Sequence, residues 1–249
     1  MPTLAIADAF VDNARAATTE GELFTSLLQC CEQMRIRYFA LVQHVDFDGD
    51  STPAIRLHNY PASWQHWFDE NRLGHCDPVH RASQLACAGF PWVDVPRMIR
   101  LTANDHSVLA QARIVGIGDG FTVPAHVPGE ITGSCSFAMD SGEPFPRQLH
   151  SIAQILGGFA FEAARRLSTG AERWSAPERP ITDRQRDCVL WSTRGKTDWE
   201  TSRILGISKE TVIQHLKHAR ERYGVHNKAM LSVRALYDGA ISFSEIMRR

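Results

Sequence analysis

The sequence predicts an α+β chain in two modules, and three observations carry that reading. Helical and strand periodicities alternate through residues 1–167. The stretch STGAERWSAPERP (168–180) combines Ser, Gly, Pro and charges as a linker does, and 181–249 reads as helix almost throughout. A chain of 249 residues, 43% apolar and 22% charged, is long enough for two modules with cores of their own. Their charges differ. From Ile181 onward 13 Lys and Arg face 8 Asp and Glu, a surplus of +5, while the preceding chain holds 14 basic and 20 acidic residues, a net of −6. Such asymmetry suits a small module facing a polyanion, and a solvated charged face would look the same.

Element by element, Thr19 and Glu22 form a T-x-x-E capping box. Leu23, Phe24, Leu27, Leu28 and Cys31 then recur at helical spacing, which predicts a helix with one buried face. YFALVQHV (38–45) reads as a buried strand and AIRLH (54–58) as an alternating one, with the turn chemistry of DFDGDSTP between them. Pro61, a good first-turn residue, opens the next helix. Residues 106–115 read as a helix that stops at GIGDG. FTVPAH and SCSFAM (134–139) follow as two strands joined by a turn containing VPGE, and a long helix runs from Pro146 to Arg166. Beyond the linker, ITDRQRDCVLWSTRG, KTDWETSRILG, ISKETVIQHLKHARERYG and NKAMLSVRALYDGAI read as four helices, with Gly206 at the middle turn.

Composition narrows the function. No apolar run approaches the roughly 20 residues that span a bilayer, and MPTLAIADAFVDNARAATTE has early acids but no basic n-region, so neither a membrane span nor a secretory signal is expected. Six cysteines without a CxxC or a regular framework suit a reduced, cytoplasmic protein. Enzyme signatures are missing: there is no HxHxDH run, no G-x-S-x-G elbow and no P-loop, and GIGDG lacks the strand-to-helix context of a nucleotide fingerprint. Cys30 and Cys31 fall on an apolar helix face, as packing residues do. The acids of DFDGD follow a strand, yet the βα repeats of a phosphoacceptor domain are absent. Neither catalytic residues nor a cofactor are expected.

In ILGISKETVIQHLKHARERYG, Gly206 supplies a turn and Ser208 an N-cap. Val212, Leu216, Ala219 and Tyr223 form one stripe toward a core. The remaining face offers Lys209, Glu210, Ile213, Gln214, Lys217 and Arg220. A recognition helix in a DNA major groove has this division, with cations for phosphate, Gln for a base edge and Ile for a thymine methyl. Any surface helix of a small bundle could share it. The stretch from Ile181 to Ser242 resembles the DNA-binding domain of LuxR-type transcription factors. The matches are I-T-x-R (181–184), Trp191, G-K-T-x-x-E (195–200), I-L-G-I-S-x-x-T-V (204–212), H-L (215–216), G-V-x-N-K (224–228) and A-x-x-x-G-x-I (235–241). Gln185 stands where that family usually has Glu. The resemblance implies a four-helix helix-turn-helix domain whose DNA contacts come from Lys209, Thr211, Ile213, Gln214, Lys217 and Arg220.

The N-terminal module carries NYPASWQHWFDENRLGHCDP (59–78), in which Tyr60, Trp64 and Phe68 fall at i, i+4 and i+8 and Asp77 stands just beyond. Such a wall faces either a core or a ligand. A buried carboxylate beside it needs a hydrogen-bonding partner. His75, Cys76, Asp77 and His80 are conceivable metal ligands, but their spacing matches no familiar site and Pro78 biases Asp77 toward extended backbone, so no metal is expected. The pattern N-Y-P-x-x-W-x-x-x-F, then D-P, then Trp92 resembles the autoinducer-binding domain of quorum-sensing LuxR-type regulators, which bind N-acyl-homoserine lactones.

That resemblance implies an α/β/α sandwich around a central antiparallel sheet. It also implies roles by position: Trp64 donating to the lactone carbonyl, Tyr60 bonding the acyl carbonyl, Asp77 accepting the ligand amide N–H, Trp92 packing on the lactone ring and Ser136 standing near the amide. Phe68 replaces a commoner Tyr, and Gln65 follows the Trp where some relatives have Arg. Further implications are a homodimer on palindromic promoter DNA and RNA polymerase as a partner. The competing readings are a regulator of the same type answering a foreign or non-lactone signal, one that needs no ligand, and an enzyme acting on lactones.

Overall fold

Alternation along the strands sets the architecture of the N-terminal unit. In the computed structural model, which describes residues 2–45, 54–127, 130–169 and 181–247, two compact units form, one from residues 2–127 and 131–169 and one from 181–247. The first begins with α1 (Pro2–Ala16), α2 (Glu20–Gln33), β1 (Tyr38–Gln43), β2 (Arg56–His58), α3 (Ala62–Glu70) and α4 (Pro78–Ser83). It continues with β3 (Phe90–Pro91), α5 (Val95–Met98), α6 (Ala103–Ile114), β4 (Ile117–Ala125), β5 (Gly133–Asp140) and α7 (His150–Thr169). Single 3-10 turns occupy Trp92–Asp94 and Arg147–Leu149.

The five strands are antiparallel in the order β2-β1-β5-β4-β3. Successive residues point to opposite faces. Phe39, Leu41, Phe121, Val123, Cys135 and Phe137 therefore pack into the larger core with Phe10, Leu23, Leu27, Leu156 and Ala160 of α1, α2 and α7. Tyr38, Ala138 and Ile117 face the other way, where Trp64 of α3 and Val108 and Ala112 of α6 close a second cluster. The result is an α/β/α sandwich. Among the described residues no helix is long and apolar enough to cross a membrane.

Several boundaries move. Thr19 caps α2 as expected, its hydroxyl accepting from the Glu22 amide at 3.2 Å. Pro61 is the N-cap of α3 rather than its first residue, so Tyr60 precedes the helix instead of continuing its face. The helix of 106–115 starts three residues earlier, at Ala103, because Thr102 and Asp105 form a capping box. The helix stops before GIGDG as expected, and the strand of FTVPAH reaches back into it: Ile117 opens β4, which bulges between Ile117 and Gly120. Residues 147–149 wind as a 3-10 turn, so the long helix begins at His150 rather than Pro146 and runs on to Thr169. The expected DFDGDSTP turn lies, up to Pro53, outside the described residues, as do two residues of the VPGE turn and residues 170–180 of the expected linker.

The second unit contains α8 (Asp183–Thr193), α9 (Asp198–Leu205), α10 (Lys209–Tyr223) and α11 (Lys228–Tyr237), plus a short α12 (Phe243–Met247) beyond the four expected helices. Thr182 with Gln185, Thr197 with Glu200, Ser208 and Asn227 cap their starts. Gln185 Oε1 accepts from the Thr182 amide at 3.0 Å, so the neutral amide performs the reciprocal bond that a Glu would make. Gly206 and Gly224 end α9 and α10 with φ of 66° and 63°, the left-handed backbone that a side chain would strain. Val212, Leu216 and Ala219 are buried with Val189, Leu231 and Ala235, and Tyr223 packs against them.

Candidate functional site

Two adjoining cavities lie on the α3 and α6 side of the sheet. They share Ala40, Val42, Tyr60, Trp64, Phe68 and His80 as a common wall. One, the Asp77 lobe, has about 490 Å³ of atom-free space, solvent at its mouth included, and adds Asp77, Val79, Trp92, Val108, Leu109, Ala112, Ile117 and Ser136. The other, the His58 lobe, has about 450 Å³ on the same measure and adds Gln43, Val45, Arg56, His58 and Gln65. Both lobes are concave and mostly apolar with a few polar groups, as small-molecule sites are. All six ligand candidates named from the sequence, Tyr60, Trp64, Phe68, Asp77, Trp92 and Ser136, line the Asp77 lobe.

Sheet register builds the floor. His58 pairs with Ala40, Ala40 with Ser136, and Ser136 with Thr122, so one row crosses β2, β1, β5 and β4. Arg56, Val42 and Ser134 form the next row. Trp64 stacks on Trp67 with centroids 5.5 Å apart and meets Phe68 at 5.8 Å, while Tyr60 rests against Tyr38 at 5.8 Å. The aromatic stretch is thus both core and cavity wall, because a helix one turn wide cannot direct all its rings to one side.

Asp77 corrects one expectation. Its carboxylate already has partners: Oδ1 accepts from the Val79 amide at 2.7 Å and the His80 amide at 3.0 Å, capping α4. The second oxygen, Oδ2, accepts from no described residue, although Asp77 is only 7% exposed. The Tyr60 hydroxyl and the Trp64 indole N–H are likewise unpaired among the described residues and line the same lobe. Burial, with the Asp77 charge nearby, drives the Tyr60 phenol well above its ordinary pKa, so it stays protonated. One fixed carboxylate oxygen, one phenol and one indole therefore face the same space.

Two residues that the sequence did not mark as part of a ligand site shape it. Thr122, fully buried, accepts from Trp92 Nε1 at 2.8 Å and lies 2.8 Å from the Ser136 hydroxyl. Either hydroxyl can donate to the other; when Thr122 donates, the Ser136 hydroxyl has its own proton to offer the cavity. Its signal was the alternation of FTVPA, which turns Thr122 away from its neighbours Phe121 and Val123. His80, weighed only as a metal ligand, donates Nδ1–H to the Gly74 carbonyl at 2.9 Å and stacks on His44 at 4.0 Å. Arg81 holds both oxygens of the buried Asp105 at 2.9 Å, tying α4 to α6. Burial pulls the Asp105 carboxyl up, but bonds from Thr102 and the Arg81 guanidinium outweigh it and leave the pKa below its ordinary value.

On α10 the expected face is largely presented. Lys209, Ile213, Gln214 and Lys217 are exposed. Thr211 and Arg220 are half-buried, and the Thr211 hydroxyl lies 3.0 Å from the Ser208 hydroxyl at the helix start. Glu221 stands 3.8 Å from Lys217, an exposed pair that contributes little.

Residues 19–166 match the model of the autoinducer-binding domain, and residues 179–235 match that of bacterial regulatory proteins of the luxR family. The chain is 29% identical over 189 residues to the transcriptional activator protein VanR of Vibrio anguillarum, covering 74% of this chain and 76% of VanR. Among solved structures, Escherichia coli SdiA superposes with a TM-score of 0.69 at 22% identity, over 96% of this chain and 98% of SdiA. CepR2 of Burkholderia cenocepacia, an N-acylhomoserine lactone dependent LuxR family factor, gives 0.56 at 13% identity, over 68% of this chain and all of CepR2.

Proposed function

Because the chain belongs to the LuxR family of quorum-sensing transcriptional regulators, with an autoinducer-binding and a helix-turn-helix domain, we propose that it binds an N-acyl-homoserine lactone and, as a homodimer, promoter DNA. The family is one of transcription regulators and not of enzymes. The observation that carries the ligand is the trio of open groups in the Asp77 lobe. A homoserine lactone head offers two carbonyl acceptors and one amide donor. Trp64 Nε1–H meets the lactone carbonyl, the Tyr60 hydroxyl the acyl carbonyl, and Asp77 Oδ2 the amide N–H. Trp92 packs on the ring, Ser136 adds a donor near the acyl carbonyl, and Phe68 lies along the chain.

Sensing resides in 1–167 and DNA binding in 181–249, joined through 168–180. Filling the lobes stabilises the sensor and so favours the form that dimerises. On DNA, Lys209, Lys217 and Arg220 neutralise phosphate, while Gln214, Ile213 and Thr211 lie toward base edges. The protein acts in the cytoplasm, with RNA polymerase as its partner.

Selection from a random duplex library by the purified full chain, with and without mixed acyl-homoserine lactones, tests both halves. Enrichment of a palindrome that depends on lactone is expected. Enrichment indifferent to lactone refutes the coupling, and no enrichment in either condition refutes the DNA reading.

A further inference from the structure

We propose that Arg81 and Asp105, neither of which lines either lobe, are positioning residues: their ion pair aims Asp77 Oδ2 at the amide N–H of the ligand. The inference rests on the lactone reading and adds to it what holds the acceptor in place. Asp77, Val79 and His80 supply one part of the Asp77 lobe, and Val108, Leu109 and Ala112 of α6 supply another. The first set belongs to α4 and its N-cap, a helix of only six residues. A helix that short does not hold itself in water, so its place in the fold comes from tertiary ties.

His44 stacks on His80 at 4.0 Å, His126 Nε2–H donates to the Ser83 carbonyl at 2.9 Å, and Arg81 Nη1 bridges both oxygens of Asp105 at 2.9 Å. The last of these joins the two helices that supply both sets of lining residues. Asp105 is suited to be the fixed end. It is buried, and its Oδ2 also accepts from the Thr102 amide at 2.7 Å and the Thr102 hydroxyl at 2.9 Å, so the carboxylate cannot swing. At the other end, the Arg81 amide donates to the Asp77 carbonyl at 2.9 Å, one helical turn away. Fixing Arg81 therefore fixes the turn that begins at Asp77. Geometry decides a hydrogen bond more sharply than an apolar contact: at about 3.6 Å, or at about 100°, the bond is gone. A shift of α4 by roughly 1 Å thus forfeits the amide contact, while the acyl chain keeps its apolar walls.

The experiment uses ligand pairs of equal acyl length, from butanoyl to decanoyl: the N-acyl-homoserine lactone and its ester counterpart, in which oxygen replaces the amide N–H. Displacement binding to the full chain gives the amide-to-ester affinity ratio. In the wild type, at the best length, the amide binds about 10- to 100-fold more tightly, the worth of a hydrogen bond to a charged group. Arg81→Met and Asp105→Asn each bring the ratio to about threefold or less, with ester affinity little changed. Arg81→Lys keeps most of the wild-type ratio, because one nitrogen makes both contacts and an ammonium can take its place. A ratio unchanged in both variants, even where affinity for the two ligands falls together, makes the pair merely structural; the inference is overturned and the lactone reading stands. A wild type that binds both members equally also overturns it. Failure of every pair to bind overturns the inference and the lactone reading together. Arg81 is half-buried and tolerates Met, so that variant decides alone should Asp105→Asn not fold.

Discussion

Asp77→Asn separates the two jobs of one carboxylate. Oδ1 caps α4 through the Val79 and His80 amides at 2.7 and 3.0 Å, and Oδ2 accepts from no described residue in the lobe. Asn is as good an N-cap as Asp, so the helix start and the fold are retained. Its NH2 then stands where Oδ2 stood and faces the ligand amide N–H donor to donor. Flipping the side chain would set that NH2 against two backbone N–H groups, so rotation offers no escape. A hydrogen bond to a charged group contributes about 1.5–3 kcal/mol, which makes the expected loss in lactone affinity roughly 10- to 100-fold. Asp77→Ala loses the cap as well, about 1 kcal/mol more, and lowers Tm by a few degrees where Asp77→Asn does not. Lactone titration and thermal melts of the wild type and both variants supply the numbers. An Asn variant that binds lactone within about twofold of the wild type refutes the assignment of Oδ2.

Thr122→Val keeps the strand but removes the acceptor of the Trp92 N–H and the partner of Ser136, at a cost of about 1–3 kcal/mol in denaturant unfolding; an unchanged midpoint would contradict the relay. Lys217→Ala, which removes one cation from each protomer of the dimer, is expected to weaken DNA binding evenly across sequences and to lower the slope of log affinity against log salt by about 1.8; an unchanged slope removes Lys217 from the phosphate contacts. The pKa of buried His44 is lowered by burial first and then by His80, His126 and His75. The unfolded chain therefore binds a proton there that the fold does not. Stability is fully present above the unfolded value near 6.5 and falls, by up to about 1.4 kcal/mol per pH unit, as pH drops below it. Melts from pH 7.5 to 5 should show this fall, flattened in His44→Leu.

The helical module was legible almost residue by residue, because caps, left-handed glycines and a period-3.6 stripe are local signals. The Ser208 cap, the Gly206 turn and the Val212, Leu216, Ala219 stripe all stand where the spacing placed them. In the N-terminal unit, strands were recognised more reliably than their ends: Ile117 opens β4 because Gly118 and Gly120 allow close approach to β5 and Trp92, where an added Cβ would lie 2.1 Å from the Asp140 carbonyl oxygen and 2.7 Å from the Trp92 ring. Such a reason is tertiary and leaves no local mark. The six cavity residues could be named in advance because their pattern resembles the autoinducer-binding domain; helical spacing alone left core and ligand wall open. Alternation in FTVPA turns Thr122 away from Phe121 and Val123, but its partnership with Ser136 is set by the β4–β5 register, which local sequence does not mark. Asp77 looked unpartnered in sequence because its cap begins two residues later, in a helix not expected there.

The most direct test is to express the chain with and without mixed acyl-homoserine lactones, purify the soluble protein, and identify by mass spectrometry the small molecules extracted with it. A lactone recovered in stoichiometric amount is the expected result. Soluble, folded protein that retains no lactone from either culture would contradict the account of Tyr60, Trp64 and Asp77 as a lactone site.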